Sequence, residues 1–310
     1  MNILILGGAG YIGSVFIEYL LKNNFKVTVY DSFVYEQNTL AIYCNNKNLS
    51  IIKKDIRDIS YLKKIIKKFD IIIPLASLVG APLCEFRKED AKSINLKGQL
   101  DLFKIVEKNQ LIIMPTTNSA YGSASGDVYC DENTKLNPIS DYAKHKVMVE
   151  SELMQKENAI SLRLATVFGM SPRMRIDLLV NDFVYKAIKD RYIVLFESHF
   201  KRNYIHVRDV CRAFIHTINN MSSMKSNIYN LGLSDANLSK KELCEEIKKY
   251  INFDFTINEF KKDPDQRNYI VSNDKIISTG FKAKYSLSDG IQELKKGYES
   301  INLTHFRNFS

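Results

Sequence analysis

The chain has 310 residues, 45% hydrophobic and 25% charged, with 44 Lys and Arg against 35 Asp and Glu, a net charge of +9. That length exceeds a usual single core, so one large α/β unit with a lobe, or two domains, is expected. No apolar run reaches membrane length, the lysines are spread over mixed helix faces, and the five cysteines lack metal spacing; membrane, nucleic-acid and metal-centred classes are set aside.

The first apolar run, 3–6, reads as a buried strand rather than a signal segment. It leads into Gly7-Gly8-Ala9-Gly10-Tyr11-Ile12-Gly13 and then a helical pattern over 12–22. Glycines at a strand-to-helix turn let the backbone approach a pyrophosphate, whose charge meets free N–H groups at the helix start. The next strand, 26–30, ends in Asp31, placed to accept from ribose hydroxyls and to repel a 2′-phosphate, which favours NAD over NADP. Further strands are expected at 49–53, 70–75, 111–116 and 160–165, separated by helices near 61–69, 95–108 and 139–156. This alternation predicts a doubly wound parallel sheet with helices on both faces and ligands at the carboxyl ends of its strands. Beyond Phe168 the regularity breaks. A basic loop at 171–175 precedes a helix at 178–189, a strand at 192–196, a helix from Asp209 and a strand at 227–231, with helices at 240–250 and 288–300.

Tyr142 and Lys146 lie four residues apart at the start of the helix over 139–156, so they share one face. A phenol with a reference pKa of about 10 is a poor base near neutrality. A neighbouring ammonium and a nicotinamide cation favour its phenolate, which then takes a proton from a sugar hydroxyl as hydride leaves the same carbon.

With the glycine turn and the Tyr-Lys pair together, the chain resembles the extended short-chain dehydrogenases/reductases, the NAD-dependent nucleotide-sugar epimerases and dehydratases, nearly from end to end. The resemblance implies a Rossmann-type sheet over 1–170, with 205–235 returning to it, and a smaller interwoven nucleotide-sugar lobe from 171–204 and 236–310. It implies NAD contacts at Gly7, Gly10, Tyr11, Ile12, Gly13, Asp31, Asp55, Ile56, Leu75, Ala76, Ser77 and Asn95, as well as at Tyr142 and Lys146. Thr117 completes a catalytic triad with Tyr142 and Lys146, and Ser119, Tyr121, Thr166, Asn181, Arg202 and Arg267 match substrate positions. Family dehydratases carry an Asp-Glu pair after the catalytic hydroxyl; here Asn118 and Ser119 stand there, which disfavours dehydration. The absence of a cysteine between Thr117 and Gly122 likewise disfavours the 3,5-epimerase/reductase branch. Within the family, the stretches 74–84, 163–169, 171–175 and 178–183 look closest to a branch that oxidises C4 of a GDP-linked heptose and recycles tightly bound NADH with 2-oxoglutarate; a nucleotide-sugar 4-epimerase with the same triad is the alternative, and a non-catalytic NAD-binding regulator a minor one. A cytoplasmic homodimer is implied by the same likeness and by unpaired thiols. Arg173 and Arg175 read as a solvated loop, Cys84 as a small buried hydrophobe, His206 as a structural histidine, and no residue as a metal ligand.

Overall fold

The computed structural model describes residues 1–123, 129–258 and 267–301. Its first half runs β1 (Asn2–Leu6), α1 (Tyr11–Lys22), β2 (Lys26–Asp31), β3 (Leu49–Lys53), α2 (Ile59–Ile65), β4 (Ile71–Pro74), α3 (Ala81–Phe86), α4 (Lys88–Lys92) and α5 (Gln99–Ile105). Next come β5 (Leu111–Thr117), β6 (Tyr129–Cys130), α6 (Asp141–Leu153), β7 (Ala159–Leu164), β8 (Thr166–Phe168), α7 (Leu179–Lys189), β9 (Tyr192–Phe196) and β10 (Lys201–His206). The rest comprises α8 (Val207–Asn219), α9 (Met221–Met224), β11 (Asn227–Leu231), β12 (Asn237–Ser239), α10 (Lys240–Lys248), β13 (Asp254–Asn258), β14 (Ile270–Val271), α11 (Asp274–Ser278) and α12 (Leu287–Ser300).

Seven parallel strands form the central sheet in the order β11-β7-β5-β4-β1-β2-β3. The order reverses between β1 and β4, which opens a crevice at their carboxyl ends. Both faces are covered, so the strands need apolar residues on both sides and read as continuous runs. Ile3, Ile5, Ile71, Ile73 and Ile113 face one core with α1 and α8, where Phe16 and Phe214 meet at 5.1 Å. Leu4, Leu6, Ile72, Ile112 and Met114 face the other core, with Leu102 of α5 and Val149 and Leu153 of α6. Three small sheets, β12-β10-β8, β13-β9 and β14-β6, lie outside the central sheet.

Local chemistry sets the helix starts. Asp58 accepts from the Tyr61 N–H at 3.0 Å, so α2 begins two residues before the expected position. Ser140 caps α6 by accepting from Ala143 N–H, and Pro138 keeps the preceding chain extended. The helix expected over 95–108 is instead a π-helical turn, Ser93–Gly98, followed by α5. The short helices α3 and α4 carry too little periodicity to be read in advance.

A buried charge network locks α6 to the sheet. Arg163 on β7 donates to Glu150 on α6 at 2.6 and 3.0 Å, and both side chains are sealed from solvent. Thr116 and Ser161 hydroxyls donate to the same carboxylate at 2.7 and 2.6 Å. Breaking one partner of such a pair strands a buried charge. Glu150→Gln is expected to cost about 3–5 kcal/mol in chemical denaturation. Asp101→Asn, which loses only its exposed pairs with Lys97 and Lys104, costs less than about 1 kcal/mol.

Candidate active site

The carboxyl edge of the sheet collects the residues singled out in the sequence. At Gly7 the backbone has φ +83°, and a Cβ there would lie 2.5 Å from the Ala76 nitrogen. At Gly13 an added Cβ would lie 2.6 Å from the Gly8 carbonyl oxygen, so this glycine lets α1 press onto the turn. Gly10 caps α1 without a side-chain bond, and no acid stands in the first turn. The N–H groups of Tyr11, Ile12 and Gly13 are the ones that would hold the diphosphate of a bound dinucleotide, with the helix dipole behind them.

Asp31 ends β2 beside this turn. One carboxylate oxygen accepts from the Ala9 N–H at 2.9 Å and the other from Phe33 N–H at 2.8 Å. Burial raises its pKa, and those two N–H bonds oppose the rise. The carboxylate thus braces the turn while keeping lone pairs for ribose hydroxyls. Asp55 is gripped by Arg57 at 2.7 Å, which holds its carboxyl below the usual range, and Ile56 is buried beside it. The turn and the acid together fit NAD.

The segment after β4 is shaped from behind. Asn95, in the π-helical turn, accepts from the Leu78 N–H and the Ser77 hydroxyl at 2.8 Å and donates to the Leu78 carbonyl at 2.8 Å. Gln99 donates to the Ala76 carbonyl at 2.7 Å. The wide turn brings both amides onto one loop, an arrangement common at functional sites. Asn95 is fully buried and fully engaged, so it shapes Leu75, Ala76 and Ser77 rather than reaching past them.

Thr117 ends β5, and its oxygen accepts from the Ser119 N–H at 3.1 Å, which leaves the hydroxyl proton to donate. Tyr142 packs on the small cluster of Leu78, Leu83 and Cys84. One turn further along α6, Lys146 is buried and donates to the Pro115 carbonyl at 3.4 Å. Burial pulls its pKa down to about 8. Burial also pushes the Tyr142 phenol up to about 12, with Cys84 adding to the rise and Arg175, then Arg267, pulling it back. Lys146 stands one turn from Tyr142 on the same helix, and Arg175 and Arg267 lie within electrostatic reach of the ring.

Other expected substrate residues divide. The Ser119 hydroxyl accepts from Arg267, and Arg267 lies within electrostatic reach of Tyr142. Arg202 is buried 5.6 Å from the Tyr269 ring, and Thr166 sits half-buried at the start of β8. Tyr121 stands behind the site instead: its hydroxyl donates to Asn230 Oδ1 at 2.7 Å or to the Asp131 carbonyl at 2.8 Å and accepts from Arg163 at 3.0 Å. Asn181 is also a brace. It accepts from the Gly169 N–H at 3.0 Å and donates to the Arg175 carbonyl at 2.9 Å, while Tyr11 donates its hydroxyl to the Gly169 carbonyl at 2.7 Å. The Ser171 hydroxyl donates to the Tyr11 carbonyl at 2.7 Å, so the 169–175 loop is tied to the first turn of α1.

That loop overturns one expectation. Arg173 and Arg175 are only 4% and 7% exposed. Arg173 lies 4.4 Å from the Tyr35 ring, and Arg175 pairs with Asp177. The run Ser-Pro-Arg-Met-Arg looks solvated locally; partners on distant elements bury it. Cys84 and His206 match their bland readings: Cys84 is packed under Tyr142, and His206 bonds Glu293 at 2.6 Å. Among the described residues there is no cluster suited to a metal, and no helix is long and apolar enough to cross a membrane.

A glycine turn on the first strand, an acid on the second and a Tyr-Lys helix beside the reversal point define a dinucleotide-dependent oxidoreductase of the short-chain type. The chain belongs to the NAD dependent epimerase/dehydratase family, whose model matches residues 3–232, and NAD is its cofactor. It is 24% identical to CDP-paratose 2-epimerase of Salmonella typhi, over 97% of this chain and 100% of that one. It is 24% identical to dTDP-glucose 4,6-dehydratase of Streptomyces niveus, over 96% of this chain and 93% of that one. The fold matches UDP-glucose 4-epimerase of Thermus thermophilus with a TM-score of 0.82 at 21% identity, covering 97% and 99% of the two chains.

Removing the Asp31 carboxylate deletes a charge-assisted acceptor worth about 1.5–3 kcal/mol. Asp31→Ala is expected to weaken NAD binding about 10- to 100-fold by calorimetry, and to narrow the preference over NADP. Unchanged NAD affinity would remove the ribose role.

Proposed function

We propose that this enzyme oxidises a nucleotide-linked sugar at C4 and releases the 4-keto product. The observation that carries this reading is the Thr117 hydroxyl at the end of β5, with Tyr142 and Lys146 one turn apart on α6, Lys146 against the Pro115 carbonyl of β5, and no acid pair after the hydroxyl. Asn118 is a buried carboxamide and Ser119 is held by Arg267, so neither is a carboxyl group that expels water from the sugar. Tyr142 removes the C4 hydroxyl proton, Thr117 donates a hydrogen bond to the same oxygen, and Lys146 holds the ribose beside them. NAD, when bound, accepts the hydride from C4. Arg202 and Arg267 are the groups for the diphosphate.

The stretches 74–84, 163–169, 171–175 and 178–183 favour GDP-D-glycero-α-D-manno-heptose as substrate, 2-oxoglutarate as the acceptor that restores NAD, and capsular heptose synthesis as the setting. The sugar loses two hydrogens and the 2-oxo acid gains them as its 2-hydroxy acid. A cytoplasmic homodimer goes with this reading. A second copy would pair across α5 and α6, where Met148 is 51% exposed. The two domain segments proposed from the sequence are the working division of the chain.

A second reading, a nucleotide-sugar 4-epimerase, is supported by the UDP-glucose 4-epimerases among the similar proteins. It uses the same triad but reduces the keto intermediate from the other face.

Mass spectrometry of the nucleotide sugar separates the two. A two-hydrogen loss that depends on 2-oxoglutarate is expected; an isomer of unchanged mass makes the enzyme an epimerase. Tyr142→Phe is expected to lower turnover about 10²- to 10⁴-fold while NAD still binds.

A further inference from the structure

The dinucleotide site is spread over both sides of β1. Asp31, the ribose acid, ends β2 on one side, while Thr117 ends β5, two strands away on the other. A bound NAD therefore crosses the carboxyl end of β1, over the glycine turn. The segment that follows β8 lies across the same line. It is tied to the turn where Tyr11 donates to the Gly169 carbonyl at 2.7 Å and Ser171 to the Tyr11 carbonyl at 2.7 Å. On the β2 side, Arg173 Cζ sits 4.4 Å from the centre of the Tyr35 ring. On the β4 side, a Cβ on Gly80 would lie 3.7 Å from Arg175 Nη2 and 4.0 Å from Asp177 Oδ2. The segment thus touches the loops after β2 and after β4 and spans the strand between them.

Its two anchorages differ. The arginine side is buried and fixed, with Asn181 donating to the Arg175 carbonyl at 2.9 Å. The Tyr35 side is a tight turn between β2 and β3, in which the Glu36 N–H donates to the Phe33 carbonyl at 2.9 Å. Phe33 and Glu36 both sit at φ +51°. Such angles are costly for residues with a Cβ, most of all a bulky Phe, and persist where the surroundings over-determine them. Here they bracket one half-buried ring, and Arg173 lies against it. Past the turn, Thr39 and Gln37 donate to the Ala9 carbonyl at 3.2 and 3.3 Å, which pins the rest of that loop to the glycine turn. The part free to lift is the strained turn itself.

We propose that Tyr35 and Arg173 form a clasp over the dinucleotide. Their cation–π contact closes the crevice above the diphosphate, and NAD(H) enters and leaves when the Tyr35 turn lifts off the arginine. The inference rests on NAD lying across β1 and is independent of whether the sugar leaves as a ketone or an epimer. In an enzyme that recycles its cofactor in place, the clasp supplies the retention.

The test follows NADH fluorescence by stopped flow on the full chain, once as NADH binds and once as excess NAD displaces it. A clasp is passed in both directions, so its loss speeds entry and exit together and leaves Kd near the parent value. Tyr35→Ala is expected to raise both rates about tenfold, the equivalent of one buried cation–π contact. Tyr35→Phe keeps the ring and the parent rates. Arg173→Gln matches Tyr35→Ala, and the double variant is no faster than either single one. Unchanged rates in Tyr35→Ala overturn the proposal. So does faster exit with unaltered entry, which makes Tyr35 an ordinary contact to the cofactor, and so does a double variant in which the two effects multiply. If Arg173→Gln does not fold, Tyr35→Ala, a change on a half-buried turn, decides alone. Unchanged NAD affinity in Asp31→Ala would instead remove the placement of NAD across β1, which separates the two failures.

Discussion

The pairing of Arg163 with Glu150 governs where the reaction edge can form. Two charges out of water are tolerated only with near-complete hydrogen bonding, and the Thr116 and Ser161 hydroxyls supply it. Any slide of α6 along the sheet would strand a charge, so the helix has one permitted depth. Tyr142 and Lys146 lie on that helix, two turns and one turn before Glu150. Arg163 also donates to the Tyr121 hydroxyl, so the turn that follows Thr117 is registered against the same anchor. One buried bridge therefore sets the spacing of the phenol, the ammonium and the threonine hydroxyl.

The other side of the crevice is built by backbone crowding. Gly7 meets the Ala76 backbone, while Asn95 and Gln99 hold the segment after β4 in place. The cofactor side is thus rigid through close contact, and the catalytic side through buried charge. The 169–175 loop joins them, because Tyr11 bonds it to α1 while Arg175 overlies the loop that leads to the bed of Tyr142. Pairing with Asp177 offsets the cost of burying that arginine.

Much of the sheet was legible in the sequence because strands buried on both faces must be apolar throughout. β9 and β11 fall at the expected residues, and Gly7, Asp31 and Thr117 stand at the carboxyl ends of β1, β2 and β5. Helix ends were read less well: Ser140 caps α6 inside the expected helix, and Asp58 starts α2 two residues ahead of its expected start. The π-helical turn at Ser93–Gly98 was not legible, since its widening answers to a loop that Asn95 must reach. Burial of Arg173 and Arg175 was hidden for the same reason: besides their local partners Met174 and Asp177, they lie against Tyr35 and Gly80, which are distant in sequence. Tyr121 and Asn181 present polar groups in the right neighbourhood, but their partners, Asn230 and Gly169, spend those groups inside the protein.

The ties that hold the 169–175 loop have a temporal meaning. Tyr11 and Gly169 are 158 residues apart, and Asn181 lies 170 residues from Tyr11. Contacts of such separation form only after the intervening chain has been gathered, at a large loop-closure cost. The glycine turn and its acid come from neighbouring strands and can assemble early, whereas the 169–175 loop, which is tied across the whole sheet to the first turn of α1, is among the last parts of the chain to find its place.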